Sequence, residues 1–517
     1  MKTNKYIIIA AIAACLFSSC KDDLLDRTPL DTLSPGSFYE DETQCKMGLM
    51  GIYASIVPGA TPDFWYQLDF MSDNNYCQDA WQGSKEFGEW AQNSASWAAG
   101  SRWSKDYRTI VRANTFISNM ESATAPDAVK QLMVGEAKFL RAYAYADLIT
   151  FFGDVPLILE PQTLDEAYVS RTPKAEVLTA ILQDLDDAAS VLPNSFSGQE
   201  TGRATKGAAL GVKTRILLYN DKWSEAAQAA KQVMDLGVYS LYADYAGIFE
   251  EANENNDEVI FDIQYIKNSQ AQPWPSARLS FVDWPTPNVT ADAINSYYMT
   301  NGLPITDTAS GYDEQNPFVN RDPRLAASVV LPGEMSGGNR FIPANDQVPC
   351  GARPRKYADI SGTDSYNYSL NTIELRYADI LLMRAEALIE SGSTDQEIYT
   401  LIDQVRQRVG MPRVEDVEGS GLSQSQLRAI VRHERRVEFL IEGTRYLDML
   451  RWKDQSLVHD VYGYDINKLS DPTSSSTWVF ETIKIASRNF DSAKGWLWPI
   501  PLDEMQNNPN LTQNPGY

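Results

Sequence analysis

The sequence predicts a mainly α-helical fold, a scaffold of helical repeats carrying a loop-rich insert with a few short strands. Three observations carry that expectation. Apolar residues recur every three or four positions in several separate stretches, each closed by a turn signal. One pair of such stretches, Ala204 to Gly237, spans 34 residues, the period of a tetratricopeptide helix pair. Residues 238–370, in contrast, are rich in Pro, Asn, Asp and Tyr and hold only brief apolar runs such as Val259-Ile-Phe-Asp-Ile-Gln-Tyr265.

The chain opens with a leader. Lys2 and Lys5 precede a 12-residue apolar run, Tyr6 to Phe17. That run is too short to cross a hydrocarbon layer of ~30 Å, so residues 1–19 read as a processed secretory signal. Leu16-Phe17-Ser18-Ser19-Cys20 resembles a bacterial lipobox, which makes Cys20 the expected lipidation site; Cys15, after Ile12-Ala13-Ala14, competes for that role. A triacylated cysteine anchors a soluble body stably where one chain alone would not. Residues 20–35, with Pro29 and Pro35, suit a short tether.

Helices follow in order. Val134 to Phe152 carries Ala137, Leu140, Ala144, Leu148 and Phe151 on one face and stops at Gly153-Asp154 and Pro156. Arg171 to Leu192 ends at Pro193. Ala204 to Tyr219 bears a stripe of small residues (Ala204, Ala208, Gly211), turns at Asn220-Asp221-Lys222, and pairs with Trp223 to Leu236, closed by Gly237. Thr372 to Gly410 is a looser second copy of that pair, turning at Ser391 to Asp395. Leu427 to Trp452 is expected as one charged helix. No linker is long enough to separate independent domains.

Composition narrows the function. Lys+Arg number 45 against 69 Asp+Glu, a net charge of −24, which argues against nucleic acid and against adhesion to anionic lipid through surface charge. Two histidines, His433 and His459, leave little room for His-dependent catalysis or zinc. Cys45, Cys77 and Cys350 form neither a disulfide framework nor a zinc spacing and are expected as buried free thiols. Dinucleotide, phosphate-loop and serine-hydrolase glycine motifs are absent, and His433-Glu434 lacks the second histidine of a zincin. No catalytic residue, cofactor or metal is expected. Two carboxylates suffice for a glycosidase, so the sequence offers a hydrolase no support without eliminating it.

The charged stretch has two readings. Glu434/Glu438 and Glu438/Glu442 are like-charge pairs four residues apart, to be compensated by arginines such as Arg435, Arg445 and Arg451. They build either an anion or carboxylate site or, the weightier alternative, a partly buried ion-pair network locking the last helices together.

Aromatic loops form the candidate ligand surface. Trp65, Trp81, Trp90, Trp97 and Trp103 fall within 39 residues, among Asp69, Asp73, Asn74, Asn75, Gln78, Asp79 and Gln82, with no helical or strand period. Trp274 and Trp284, with Tyr297 and Tyr298, lie in the proline-rich block. An indole covers the C–H face of a sugar ring at low entropic cost, and amide, carboxylate and guanidinium groups pair with the hydroxyls. Trp81, Trp90, Trp274 and Trp284, with Trp65, are the expected stacking residues, and Asp73, Asn75 and Arg278 the hydroxyl partners.

Six motifs in order carry a resemblance. They are Asp26-Arg-Thr-Pro29 with Phe38 and Gly51-Ile-Tyr53; Glu136-Ala-Lys-Phe-Leu-Arg-Ala-Tyr143 with Phe152-Gly-Asp-Val-Pro156; Gly202-Arg-Ala-Thr-Lys-Gly-Ala208; Arg376-Tyr-Ala-Asp379 with Ala385-Glu-Ala387; Glu434-Arg-Arg with Glu442-Gly-Thr-Arg445 and Asp448; and Pro499-Ile-Pro501 through Asn508-Pro509 and Gln513-Asn-Pro-Gly-Tyr517. Together they resemble the SusD/RagB family of Bacteroidetes surface glycan-binding lipoproteins, and Lys21-Asp22-Asp23 resembles the signal that sends such lipoproteins to the cell surface. The resemblance implies a single SusD-like domain over 36–517. Helical repeats would occupy roughly 104–237 and 372–452, with a loop-rich binding half over roughly 54–103 and 238–370. It further implies non-catalytic capture of an oligosaccharide or polysaccharide and an outer-membrane TonB-dependent transporter of the SusC type as partner. Family glycan sites align with residues 65–103 and 270–300. The rival expectation is a tetratricopeptide outer-membrane lipoprotein that binds peptides or assembles outer-membrane proteins.

Overall fold

The computed structural model describes residues 38–57, 65–79, 83–273, 276–336, 339–344, 348–358, 364–469 and 478–517. The leader, Cys15, Cys20 and the tether lie outside them. Ten longer helices form the frame: α1 (Glu42–Ile56), α2 (Trp97–Asn119), α3 (Asp127–Phe152), α4 (Lys174–Val191), α5 (Lys206–Leu218), α6 (Trp223–Asp235), α7 (Tyr377–Glu390), α8 (Gln396–Arg408), α9 (Gln424–Glu438) and α10 (Thr444–Trp452). Local chemistry sets their starts. Asp41 accepts from the N–H of Gln44 at α1, Thr205 from Ala208 at α5, and Ser423 with Gln426 forms a capping box at α9. No described helix is long and apolar enough to cross a membrane.

Neighbours in sequence pack as neighbours in space: α2 on α3, α3 on α4, α5 on α6, then α7 on α6, α8 and α9. The small-residue stripe of α5 serves close approach, because a Cβ at Gly211 would collide with Leu375. One core joins α1 to α6 with Trp498 and Ile500 of the C-terminal segment, and a second joins α7, α8 and α9. The loop-rich half has its own core, built on Phe70, Phe281, Ile294, Tyr297 and Tyr357.

Three expectations change. Thr372–Arg376 does not begin a helix; it is a strand paired antiparallel with Val259–Ile263, because its β-branched start meets an apolar partner strand. The stretch Leu427 to Trp452 is two helices, broken where Ile441 and Gly443 take φ of +66° and +71°. The arginines opposing Glu434 and Glu438 come from elsewhere: Arg324 and Arg406 pair with Glu434 at 2.5 and 2.9 Å, and Arg324 and Arg376 with Glu438 at 3.0 and 2.6 Å, joined by Arg408. Arg435 instead holds Asp379 and Asp448, Arg445 holds Asp73, and Arg451 holds Glu386. The buried-network reading of this segment is thus the one observed. Cys45, Cys77 and Cys350 are buried free thiols.

Candidate functional site

Two distant loop regions meet through a short ladder. Asn75–Cys77 pairs antiparallel with Pro287–Val289, with Asn75 opposite Val289 and Cys77 opposite Pro287. The N–H of Gln78 reaches the carbonyl of Thr286 at 3.4 Å, so the chain leaves the first strand at the end where it enters the second. The regions 65–103 and 270–300 therefore adjoin, as a shared ligand surface requires.

On the second strand's approach, Leu279–Asp283 forms a π-helical turn, closed by the N–H of Trp284 donating to Leu279 at 2.8 Å. Such turns widen the helix and re-aim the side chain that follows, and they recur at functional sites. Trp284 stands 50% exposed, more than any other tryptophan whose side chain is described. Arg278, at the start of that turn, lies buried with its guanidinium 3.5 Å from the carboxylate of Asp283. That carboxylate also accepts from the hydroxyl of Ser365. The carbonyl of Ser365 in turn takes a 2.6 Å bond from Ser276. Tyr366, the next residue, is 77% exposed. Asp364 shapes its turn by accepting from the N–H groups of Tyr366 and Asn367 at 3.2 and 3.0 Å. The Ser365–Asp283 contact joins a turn that exposes an indole to a loop that exposes a phenol ring, beside a partly exposed carboxylate, and groups of this kind suit flat ligands with hydroxyl edges.

The expected residues divide. Trp284 belongs to this surface, whereas Arg278 is corrected: only 6% exposed, it is held near Asp283 rather than offered to a surface ligand. Trp81 and Trp274 lie outside the described residues, as does the side chain of Trp65, which starts a short helix, Trp65–Asp69. Trp90 is corrected: only 5% exposed, it meets Phe490 and Trp496 edge to face at 5.2 Å and has no face left for a ligand. Trp103 is likewise core, packed on Phe152. Asp73 is corrected too. Buried beneath the ladder, it takes two 2.7 Å bonds from Arg445; burial alone would raise its pKa, but Arg445 and Arg436 hold it below the carboxylate range. Asn75 is fully buried in the ladder and cannot reach a surface ligand. Tyr366 was missed, although its run Asp364-Ser-Tyr-Asn-Tyr368 follows the same pattern of rings among turn residues that singled out the tryptophans.

One trio has donor atoms that converge within 4.8 Å: Asp73, Asp292 and His459. Arg436 bonds Asp292 at 2.6 Å and lies 3.4 Å from Asp73, so guanidinium already supplies the positive charge there. The donor set does not suit a cation.

Comparison with known proteins agrees with this architecture. A family model described as the SusD family matches residues 257–517, and one described as starch-binding associating with outer membrane matches residues 30–218. A SusD-like protein of Formosa agariphila, P25, is 25% identical over the whole of both chains. Two crystal structures from Bacteroides fragilis share the fold. A SusD-like carbohydrate-binding protein superposes with a TM-score of 0.82 at 28% identity, over 92% of this chain and all of its own. A second SusD-like protein gives 0.81 at 27%, over 95% of this chain and all of its own. With its helical frame, its C-terminal half and its order of motifs all accounted for, the chain belongs to the SusD/RagB family.

Proposed function

We propose that the protein is a lipid-anchored, surface-exposed outer-membrane protein that captures a glycan without cleaving it and passes it to a SusC-type TonB-dependent transporter. The observation that carries the binding step is Trp284, lifted into solvent by a π-turn and tied through Asp283 and Ser365 to the loop that exposes Tyr366. Stacking a sugar on an indole buries apolar area worth about 25 cal/mol per Å², a few kcal/mol per ring before the cost of binding. Trp81, Trp274 and Trp65 remain proposed contributors on sequence grounds. The carbohydrate-binding relative and the starch-binding description of the matching family model support the ligand class. Family membership and the Cys20 lipobox support the transporter and the anchor.

Affinity electrophoresis through gels containing individual polysaccharides tests the binding step. A retarding glycan should lose its hold on Trp284→Ala/Tyr366→Ala while the melting curve stays put; full retention in that variant would overturn the assignment. Reducing ends appearing during incubation would overturn the non-catalytic part. Cys20→Ala should abolish acylation, and co-purification with a transporter tests the partner.

A further inference from the structure

A cleft of 720 Å³ lies away from the Trp284 surface, between the start of α4, the α5–α6 turn, the end of α10 and the C-terminal segment 492–515. That volume falls within the roughly 300–1,000 Å³ of small-molecule pockets. Four of its cations, Arg171, Lys174, Lys453 and Lys494, have no carboxylate within ion-pair distance among the described residues. This is unusual in a chain of net charge −24, where most described lysines and arginines are paired. Arg171 spends its donors on neutral oxygens of Asp154, Thr512, Phe152 and Asn514, and Lys494 bonds the carbonyl of Gln92 at 2.8 Å. Lys174 and Lys453 have no side-chain partner among the described residues. Burial, then the neighbouring ammonium of Lys453, lowers the pKa of Lys174.

Asp154 and Asp221 are the acids of the lining. Asp154 already accepts from the backbone N–H of Lys174 at 2.8 Å. The four unpaired cations outnumber them.

We propose that this cleft binds an anionic saccharide group, a sugar carboxylate or sulfate, with Lys174 and Lys453 as direct partners. The choice of a saccharide acid over an acidic peptide rests on the glycan reading above; the existence of an anion site does not. Calorimetric titration of the full chain with sodium galacturonate, sodium sulfate, glucose and a glutamate-rich peptide tests it at low and at physiological ionic strength. Galacturonate and sulfate should bind, weaken with salt, and weaken at least about tenfold in Lys174→Gln/Lys453→Gln. The exposed control Lys46→Gln should change nothing, and the response to glucose should be the same in the parent and the double variant. No binding of either anion at low salt, or equal binding by the double variant, overturns the proposal. Peptide binding lost in that variant, with neither anion bound, overturns it in favour of a protein partner. Retention on neutral glycans through Trp284 should persist in the double variant, so failure here is distinct from failure of the glycan reading.

Discussion

The hydroxyl of Ser365 donates to the carboxylate of Asp283, a contact between residues 82 apart in the chain. It couples the π-turn that presents Trp284 to the loop that presents Tyr366, so the two rings share one support. Binding gains from such preorganisation because less side-chain and loop entropy is lost when the ligand arrives. Ser365→Ala should therefore weaken retention on a glycan gel by several-fold, with the thermal midpoint nearly unchanged because Asp283 is solvated. Equal retention would mean that the rings do not act together.

Trp90 makes the opposite prediction. It holds φ at +60° and packs on Phe490 and Trp496 in the main core. Trp90→Ala should cost about 3–5 kcal/mol of stability by opening a cavity, measured by urea unfolding, while the folded fraction binds glycan as before. Lost binding with intact stability would return Trp90 to the ligand surface.

The contrast between Trp90 and Trp284 marks how far the sequence could be read. Both sit in polar, aperiodic surroundings, and only packing against residues some 400 positions on buries one of them. Helices such as Lys206–Leu218 and Trp223–Asp235 were legible because periodicity, caps and a turn are local signals. The ladder that joins Asn75 to Val289 was not, since each strand has three residues, all buried, and so shows no alternation. Gly443 could have betrayed the break between the last two helices, but the charge pattern running through it masked the turn. The resemblance supplied the two loop regions, and the ladder shows that they adjoin.

Glu438 is the hub of the buried network, fully enclosed and bonded by Arg324 and Arg376 with Arg408. Burial would raise its pKa, yet Arg408, Arg376 and Arg324 hold it well below the ordinary glutamate value. Its contribution to stability is therefore present above the unfolded pKa and is lost as pH falls below it. Glu438→Gln should cost about 3–5 kcal/mol at pH 7 by leaving buried guanidiniums uncompensated. The gap should narrow in strong acid. A loss under ~1 kcal/mol would place these charges in far better contact with water than their burial indicates.

Asp69 titrates in the other direction. It is fully buried behind the aromatic loops, and burial pushes its carboxyl up to about 7, with the N–H of Ile441 and Lys356 pulling it down and Glu442 and Asp73 pushing it further up. An unfolded aspartate ionises near 3.8, so between that pH and about 7 the unfolded chain has shed a proton that the folded chain keeps. Stability must then fall as pH rises through this window, and the penalty is fully developed above it. Asp69→Asn keeps the shape and the uncharged state, removing the penalty. Urea unfolding should show the variant matching the parent at pH 4 and exceeding it by about 1–3 kcal/mol at pH 8. A gain equal at both pH values would show that the carboxyl never changes its charge across this range.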